Sequence, residues 1–268
     1  MPRCSNGSII GLVATVILSL SIVTLAQNVQ PQPSAGAKDE KAAPAPPHDL
    51  SGIWDSGRKG ILPSSSAKVP PMTPEGAEKF NSNKPGYGPR EVPVGLTNDP
   101  LDGCDPAGFP RDVLFELRAL QIVQNPNQML ILYEYQRVWR VIWTDGRELP
   151  KDQAPRWYGY SVGHWENDST FVVESSDTDA RTWLDDVGDP HSNDLHVEER
   201  YHRVDHDTIE LTVTIDDPKM YTKPWVAVDK VVLKLQPPKT DIMEMICSPT
   251  EVEEYKKIMA DPAAGVKK

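Results

Sequence analysis

The chain has 268 residues, 38% of them hydrophobic and 25% charged, and its 28 basic against 39 acidic side chains leave a formal net charge of −11. That balance excludes a disordered acidic tail and a polytopic membrane protein. The negative field, with no basic stripe carrying interleaved aromatics, excludes nucleic acid as a main partner.

Residues Ile9 to Ala26 form an apolar and small-residue run that follows Arg3 and closes with Thr24-Leu25-Ala26. Small residues at the third and first positions before a cut after Ala26 make residues 1–26 a secretory signal peptide, so the mature chain is expected to be secreted or periplasmic. The run also approaches spanning length, and an uncleaved N-terminal anchor is the alternative and the one membrane contact expected. Cys4 precedes the run and cannot serve as a lipobox cysteine. Residues 27–48, rich in Pro, Ala and Gln, read as a semi-extended linker. Residues 49–268 then form one domain with no internal repeat.

Leu50 to Trp54 reads as a first strand. The stretch from Asp55 to Pro110, dense in Pro, Gly and Asn, is expected to be an irregular arm wrapping a larger body, interrupted by one helix that Thr73 caps and Pro74 opens, with Ala77 and Phe80 on one face. Beyond the signal only Cys104 and Cys247 remain, and in an oxidising compartment two cysteines predict a disulfide.

From Arg111 the pattern turns to period two with aromatic and β-branched enrichment, which predicts strands. They fall at 113–118, 120–123, 129–135, 138–144, 158–165, 170–175, 195–204, 208–216, 226–236 and 241–246. Turn chemistry joins them at Asn125-Pro126-Asn127, Asp145-Gly146, Glu166-Asn167-Asp168 and Asp205-His206-Asp207. The fold class is mainly β, an antiparallel meander forming a barrel or a curved two-sheet sandwich, with the long N-terminal loop arm and a short C-terminal helix. Thr250-x-x-Glu253 predicts a capping box for that helix, with Val252, Tyr255 and Met259 on one face.

Ser51-Gly52-Ile53-Trp54 opening an antiparallel meander resembles the Gly-x-Trp entry strand of lipocalin-like, or calycin, barrels. The wider chain from Asp49 to about Gly265, with C-D-P-A-G-F-P-R, W-Y-G-Y-S-V-G-H-W, L-H-V-E-E-R-Y and I-D-D-P-K-M-Y-T-K-P-W, resembles a family of secreted bacterial proteins. That resemblance implies no reaction.

Five of the six histidines lie between His164 and His206, which suggests metal, but strand register argues against it and no metal site is expected there. If Asp205-His206-Asp207 is a three-residue loop, then Arg203, Tyr201, Glu199 and Val197 face Ile209, Leu211, Val213 and Ile215, and that face is the buried one. His202 opposite Glu210 and His196 opposite Asp216 are then surface pairs. A two- or four-residue loop would exchange the faces of the first strand. The first register buries Glu199, which needs a partner: either an internal salt bridge with Arg203 on the same face, or the bottom of a ligand cavity.

The connection Ser176 to Asp194 is long enough to have a task. Asp185 and His191 offer an acid–base couple, Trp183 a cover over a cavity mouth, and Arg181 a tie for the loop or a ligand contact. Its carboxylates also offer a weak Ca²⁺ site, without the EF-hand spacing; no other cofactor is expected. Trp139 and Trp143 share a strand face, and Tyr160 shares one with Tyr158; such stripes read as core or as a barrel lining. Gly159-Tyr160-Ser161-Val162-Gly163 matches G-x-S-x-G letter for letter, but strand on both sides is the wrong context for a nucleophile elbow.

The reading these residues carry is a module that binds a small apolar or aromatic molecule, with Trp139, Trp143, Tyr160, Arg181, Trp183, Tyr201 and Arg203 as contacts. A hydrolase or isomerase on the same scaffold is the alternative, with Asp185, His191 and Glu199 as catalytic residues. A structural or interaction role in the cell envelope is the third.

Overall fold

A computed structural model describes residues 43–57, 69–115 and 117–266, within the compact unit Lys41–Lys268. The expected signal peptide and most of the expected linker lie outside the described residues. Nine strands close into a barrel in chain order. They are β1 Gly52–Asp55, β2 Leu120–Asn125, β3 Gln128–Tyr133, β4 Trp139–Trp143, β5 Tyr160–Asn167, β6 Thr170–Ser176, β7 His196–Asp205, β8 Thr208–Asp216 and β9 Trp225–Leu235. Closure runs through Trp54 opposite Leu235 and Asp55 opposite Lys234. Among the described residues no helix is long and apolar enough to cross a membrane.

Alternation builds this barrel. Along β7 and β8 every second residue is buried, and Val197, Glu199, Tyr201 and Arg203 face Ile215, Val213, Leu211 and Ile209. These are the faces expected of a three-residue loop, reached differently: a one-residue bulge past Arg203 brings Asp205, in place of Val204, opposite Thr208. The interior is dense: Trp54, Ile131, Phe171, Tyr201, Leu211 and Leu233 belong to one core cluster. Trp54 is fully buried, its indole N–H donates to the Leu50 carbonyl at 2.8 Å, and the Arg203 guanidinium stands over its ring.

The meander departs from expectation at one step. β4 and β5 pair in parallel, Ile142 opposite Ser161, because the connection 144–159 is long enough to return the chain to the rim where β4 began. The two rims therefore differ. Hairpin turns 125–128, 167–170 and 205–208 close the first. The second carries turn 134–138, the connections 177–195 and 217–224, and the approach of the arm into β2.

Two expected strands are absent. The described residues of the segment 113–118 belong to no strand; Arg111–Leu114 instead form one helical turn, α2, which follows α1 (Pro74–Ser82) in the chain. The run Val113-Leu114-Phe115 lacks a strict period, and a short apolar run serves a turn as well as a strand. Residues 241–246 contribute only a bridge from Met245 to Tyr135, since the barrel is already closed and offers no free edge.

The arm behaves as expected. Thr73 caps α1 by accepting from the Gly76 amide at 3.0 Å, Pro74 fills the first turn, and the Gly76 backbone sits so near the Met220 carbonyl that a side chain there would collide with it. Arg111 forms a buried two-pronged pair with Asp99, both bonds 2.7 Å. Arg90 donates to the carbonyls of Phe80, Asn83 and Val187, tying the arm to the connection between β6 and β7. Cys104 and Cys247 form a disulfide across 143 residues of sequence. The C-terminal helix α3 (Pro249–Tyr255) starts behind Ser248 with no side-chain cap, so the expected Thr250 box is not used; Pro249 fixes the start two residues earlier.

Candidate functional site

The barrel carries a charged group where apolar packing would be expected. Glu199 on β7 is fully buried, and Arg140 on β4 reaches it across the interior at 3% exposure. Arg140 Nη2 donates to Glu199 Oε2, and the Tyr201 hydroxyl donates to Glu199 Oε1 at 2.7 Å. The Phe109 ring lies 4.0 Å from the guanidinium carbon. Asp112, fully buried on α2, is coupled electrostatically to both Arg140 and Glu199. Tyr133 on β3 and Tyr158 at the end of the 144–159 connection complete the group.

These side chains leave hydrogen-bonding capacity unused. Among the described residues, both Asp112 carboxylate oxygens, Arg140 Nε and Nη1, and the hydroxyls of Tyr133 and Tyr158 find no hydrogen-bond partner. The amides of Asp112 and Val113 lie near the Asp112 carboxylate and favour its charge, but neither reaches hydrogen-bond geometry. More than nine-tenths of buried polar groups in native proteins are paired. Such a gathering at one rim is therefore a feature of this fold and not ordinary packing noise.

Burial dominates the proton affinities. It pushes the Asp112 carboxyl up to about 8, with Glu199 adding to the rise and Arg140 opposing it. At neutral pH Asp112 is therefore mostly a neutral carboxyl, able to donate. Burial opposes the charge on Arg140, but Glu199 outweighs it and the guanidinium is held more firmly charged. The phenols of Tyr133, Tyr201 and Tyr158 are raised by burial and stay neutral.

The residues singled out from sequence separate into several places. Glu199, Tyr201 and Arg203 share the inner face of β7. Glu199 and Arg203 do not pair: four residues along a strand are roughly 13 Å apart, and Arg203 instead donates to the carbonyls of Asp49 and His206 at the first rim. Trp139 and Trp143 face outward. Trp139 is 63% exposed, and Arg147 stacks on Trp143 at 3.8 Å while donating to the Tyr160 hydroxyl. The aromatic stripe of Trp-Arg-Val-Ile-Trp is thus the outer face, and Arg140 with Ile142 the inner one. It does not line the barrel interior as expected, because the segment following β9 partly covers it: Trp139 and Leu132 line a groove with Pro238, Asp241 and Ile242. Trp139→Ala is accordingly expected to change unfolding free energy by less than about 1 kcal/mol in a urea titration, as at other exposed sites.

The connection between β6 and β7 is held by its own side chains. Asp185 Oδ1 accepts from the amides of Val187, Gly188 and Asp189 at 3.0–3.1 Å. Arg181 pairs with Asp179 and lies over Trp157. Trp183 is buried, bridged to Pro190, with Arg111 over its ring. His191, 1% exposed, makes its contacts through Nδ1 to the Ser192 carbonyl at 3.0 Å and Nε2 to Thr182 at 2.6 Å, and burial lowers its proton affinity. The partners of Asp185, of His191 and of Glu199 have no common member, so the expected acid–base triad is not brought together. Where Ca²⁺ was considered, Asp179, Asp185 and Asp194 serve Arg181, backbone amides and Lys219. Among the described residues no three His, Cys, Asp or Glu are grouped to hold a metal ion. Ser161 is buried and hydrogen-bonded to Ser175 at 2.8 Å within the sheet, which is no nucleophile elbow.

Sequence reasoning missed Arg140 as the partner of Glu199, and with it Asp112, Tyr133, Tyr158 and Phe109 as members of the same polar group. One signal was available: a buried carboxylate demands a cation on another inner face, and Arg140 is the arginine in the middle of a confidently predicted strand. Two adjoining grooves, of about 650 and 560 Å³, open on the outer surface where β1 and β2 meet the segment after β9. Neither is lined by Glu199, Arg140 or Asp112, but Tyr133 lines the second. No protein-family model, no curated protein and no solved structure matches the chain.

Proposed function

We propose that the protein is a binding module for a small apolar or aromatic molecule, held through a polar group at the second rim by Asp112, Arg140, Tyr133 and Tyr158. The observation that carries this reading is the set of buried polar atoms without partners in the protein. Leaving such atoms unmet costs a fold about 1–3 kcal/mol each, and a site that recognises a ligand is where folds keep such a cost. One cluster of apolar side chains fills the barrel interior, which favours a ligand seated at the rim over one swallowed along the barrel axis. Phe109, stacked on Arg140, supplies an aromatic wall.

Tyr133→Phe separates binding from packing. Its hydroxyl has no partner in the protein, so its loss is expected to leave the melting temperature unchanged or slightly raised. The same variant should weaken, by about tenfold, small aromatic compounds that raise the melting temperature of the parent protein. A variant that is destabilised and binds as before, or a parent that no compound in an aromatic panel stabilises, would overturn the reading.

A further inference from the structure

The hydrogen-bond inventory of the cluster points to the kind of group it accepts. Resting on the binding reading above, we infer that the ligand is a neutral molecule presenting a carbonyl acceptor, a ketone, ester or amide on an aromatic or apolar body, and is neither a carboxylate nor an amine.

Three accounts converge on this. The first is donors. Arg140 keeps the Nε–H and the two Nη1–H groups unpaired, and Tyr133 and Tyr158 each offer a hydroxyl. The acceptors of Glu199 are already taken, one oxygen by Arg140 and the other by Tyr201. With Asp112 neutral, the unpaired groups are these donors and one remaining Asp112 acceptor oxygen, an excess of donors that a carbonyl oxygen with two lone pairs meets and an ammonium does not.

The second account is charge. Arg140 and Glu199 cancel, and with Asp112 protonated the buried cluster is neutral. A carboxylate brought there would be an uncompensated buried anion, which costs several kcal/mol before any contact is made, and an ammonium must first displace the Asp112 proton, a tenfold penalty at pH 7 for a group held at about 8. A neutral carbonyl adds dipoles without adding charge. The third account is Asp112 itself. Its carboxyl is coupled electrostatically to Arg140, Glu199, Tyr133 and Tyr158, and as a neutral carboxyl it is one more donor.

The test uses the full chain and three compounds of similar shape: acetophenone, benzoate and benzylammonium, titrated by calorimetry and by ligand-observed NMR. At pH 7 acetophenone is expected to bind at least tenfold more tightly than either ion. As Asp112 ionises through about 8, the donor becomes an acceptor, and acetophenone should weaken by about tenfold between pH 7 and pH 9. Asp112→Asn, which keeps a donor at every pH, should bind acetophenone with no such dependence. Tighter binding of benzoate or benzylammonium would overturn the ligand class and leave the binding module standing. Binding of none of the three up to ten millimolar would overturn the class as well, and together with an aromatic panel that stabilises nothing would overturn the module too. An acetophenone affinity as pH-dependent in Asp112→Asn as in the parent would remove Asp112 from the site.

Discussion

Arg140→Met is expected to lower the unfolding free energy by about 3–5 kcal/mol at pH 7, because it strands Glu199 as a buried carboxylate with only the Tyr201 hydroxyl for company. Glu199→Leu should do comparable damage by stranding the guanidinium against Phe109 and Asp112. The double variant is expected to recover much of the loss, since two apolar groups of similar volume remove both desolvation penalties. A double-mutant cycle read by urea unfolding should then give a coupling of about 2–3 kcal/mol. If the two losses simply add, Arg140 and Glu199 are not the pair that neutralises the barrel interior. Acid adds a second signature. In Arg140→Met the stranded carboxylate can be relieved by a proton, so its deficit should shrink below about pH 5, whereas in Glu199→Leu the stranded guanidinium cannot be neutralised and the deficit should persist.

Why Glu199 was legible and Arg140 was not follows from how each strand encodes its inner face. On β8 the inner positions are Ile209, Leu211, Val213 and Ile215 against Glu210, Thr212, Thr214 and Asp216, so the inner face is unambiguous and the hairpin register beyond its one-residue bulge carries it to Glu199. On β4 the bulky residues are Trp139 and Trp143, and hydrophobicity points to the wrong face. The outer face there is sheltered by the chain after β9, a contact between residues about a hundred positions apart that no local pattern announces. Distance along the chain also hides Asp112 and Phe109: they come from the arm, which the sequence marks only as irregular, and the turn α2 that aims them is four residues long. The same register places His202 opposite Glu210 and His196 opposite Asp216. Turn chemistry and period two thus describe most of the barrel, while a site assembled from β3, β4, β7 and the arm depends on non-local packing.

Stability should depend on pH in a direction opposite to that of most acidic proteins. Asp112 and Asp189 are each pushed up to about 8, the first by burial and then Glu199, the second by burial and then its neighbour Asp185. Asp189 also faces Asp186, which raises it further, and Arg90, which opposes the rise. A carboxyl whose folded affinity for the proton exceeds the unfolded one contributes stability that is complete below about pH 4 and is lost as pH climbs towards 8. His191 works against this at lower pH, because burial lowers its affinity and the folded state resists its protonation below about 6.5. Above about pH 7.5 His191 is neutral in both states, and between about 6.5 and 7.5 its residual contribution is only about 0.4 kcal/mol, so the carboxyls dominate. Between pH 6.5 and 8 the unfolding free energy is therefore expected to fall by roughly 2–4 kcal/mol, at about 1.4 kcal/mol per pH unit for each of the two carboxyls. Asp112→Asn and Asp189→Asn should each remove about half of that slope, and the two together should flatten it. They sit on different elements, α2 and the connection between β6 and β7, so a fold weakened at one leaves the other informative. A stability that rises from pH 6.5 to 8, or a slope that neither substitution reduces, would mean that these carboxyls are already ionised in the folded chain, and Asp112 would then face the ligand as an anion and not as a donor.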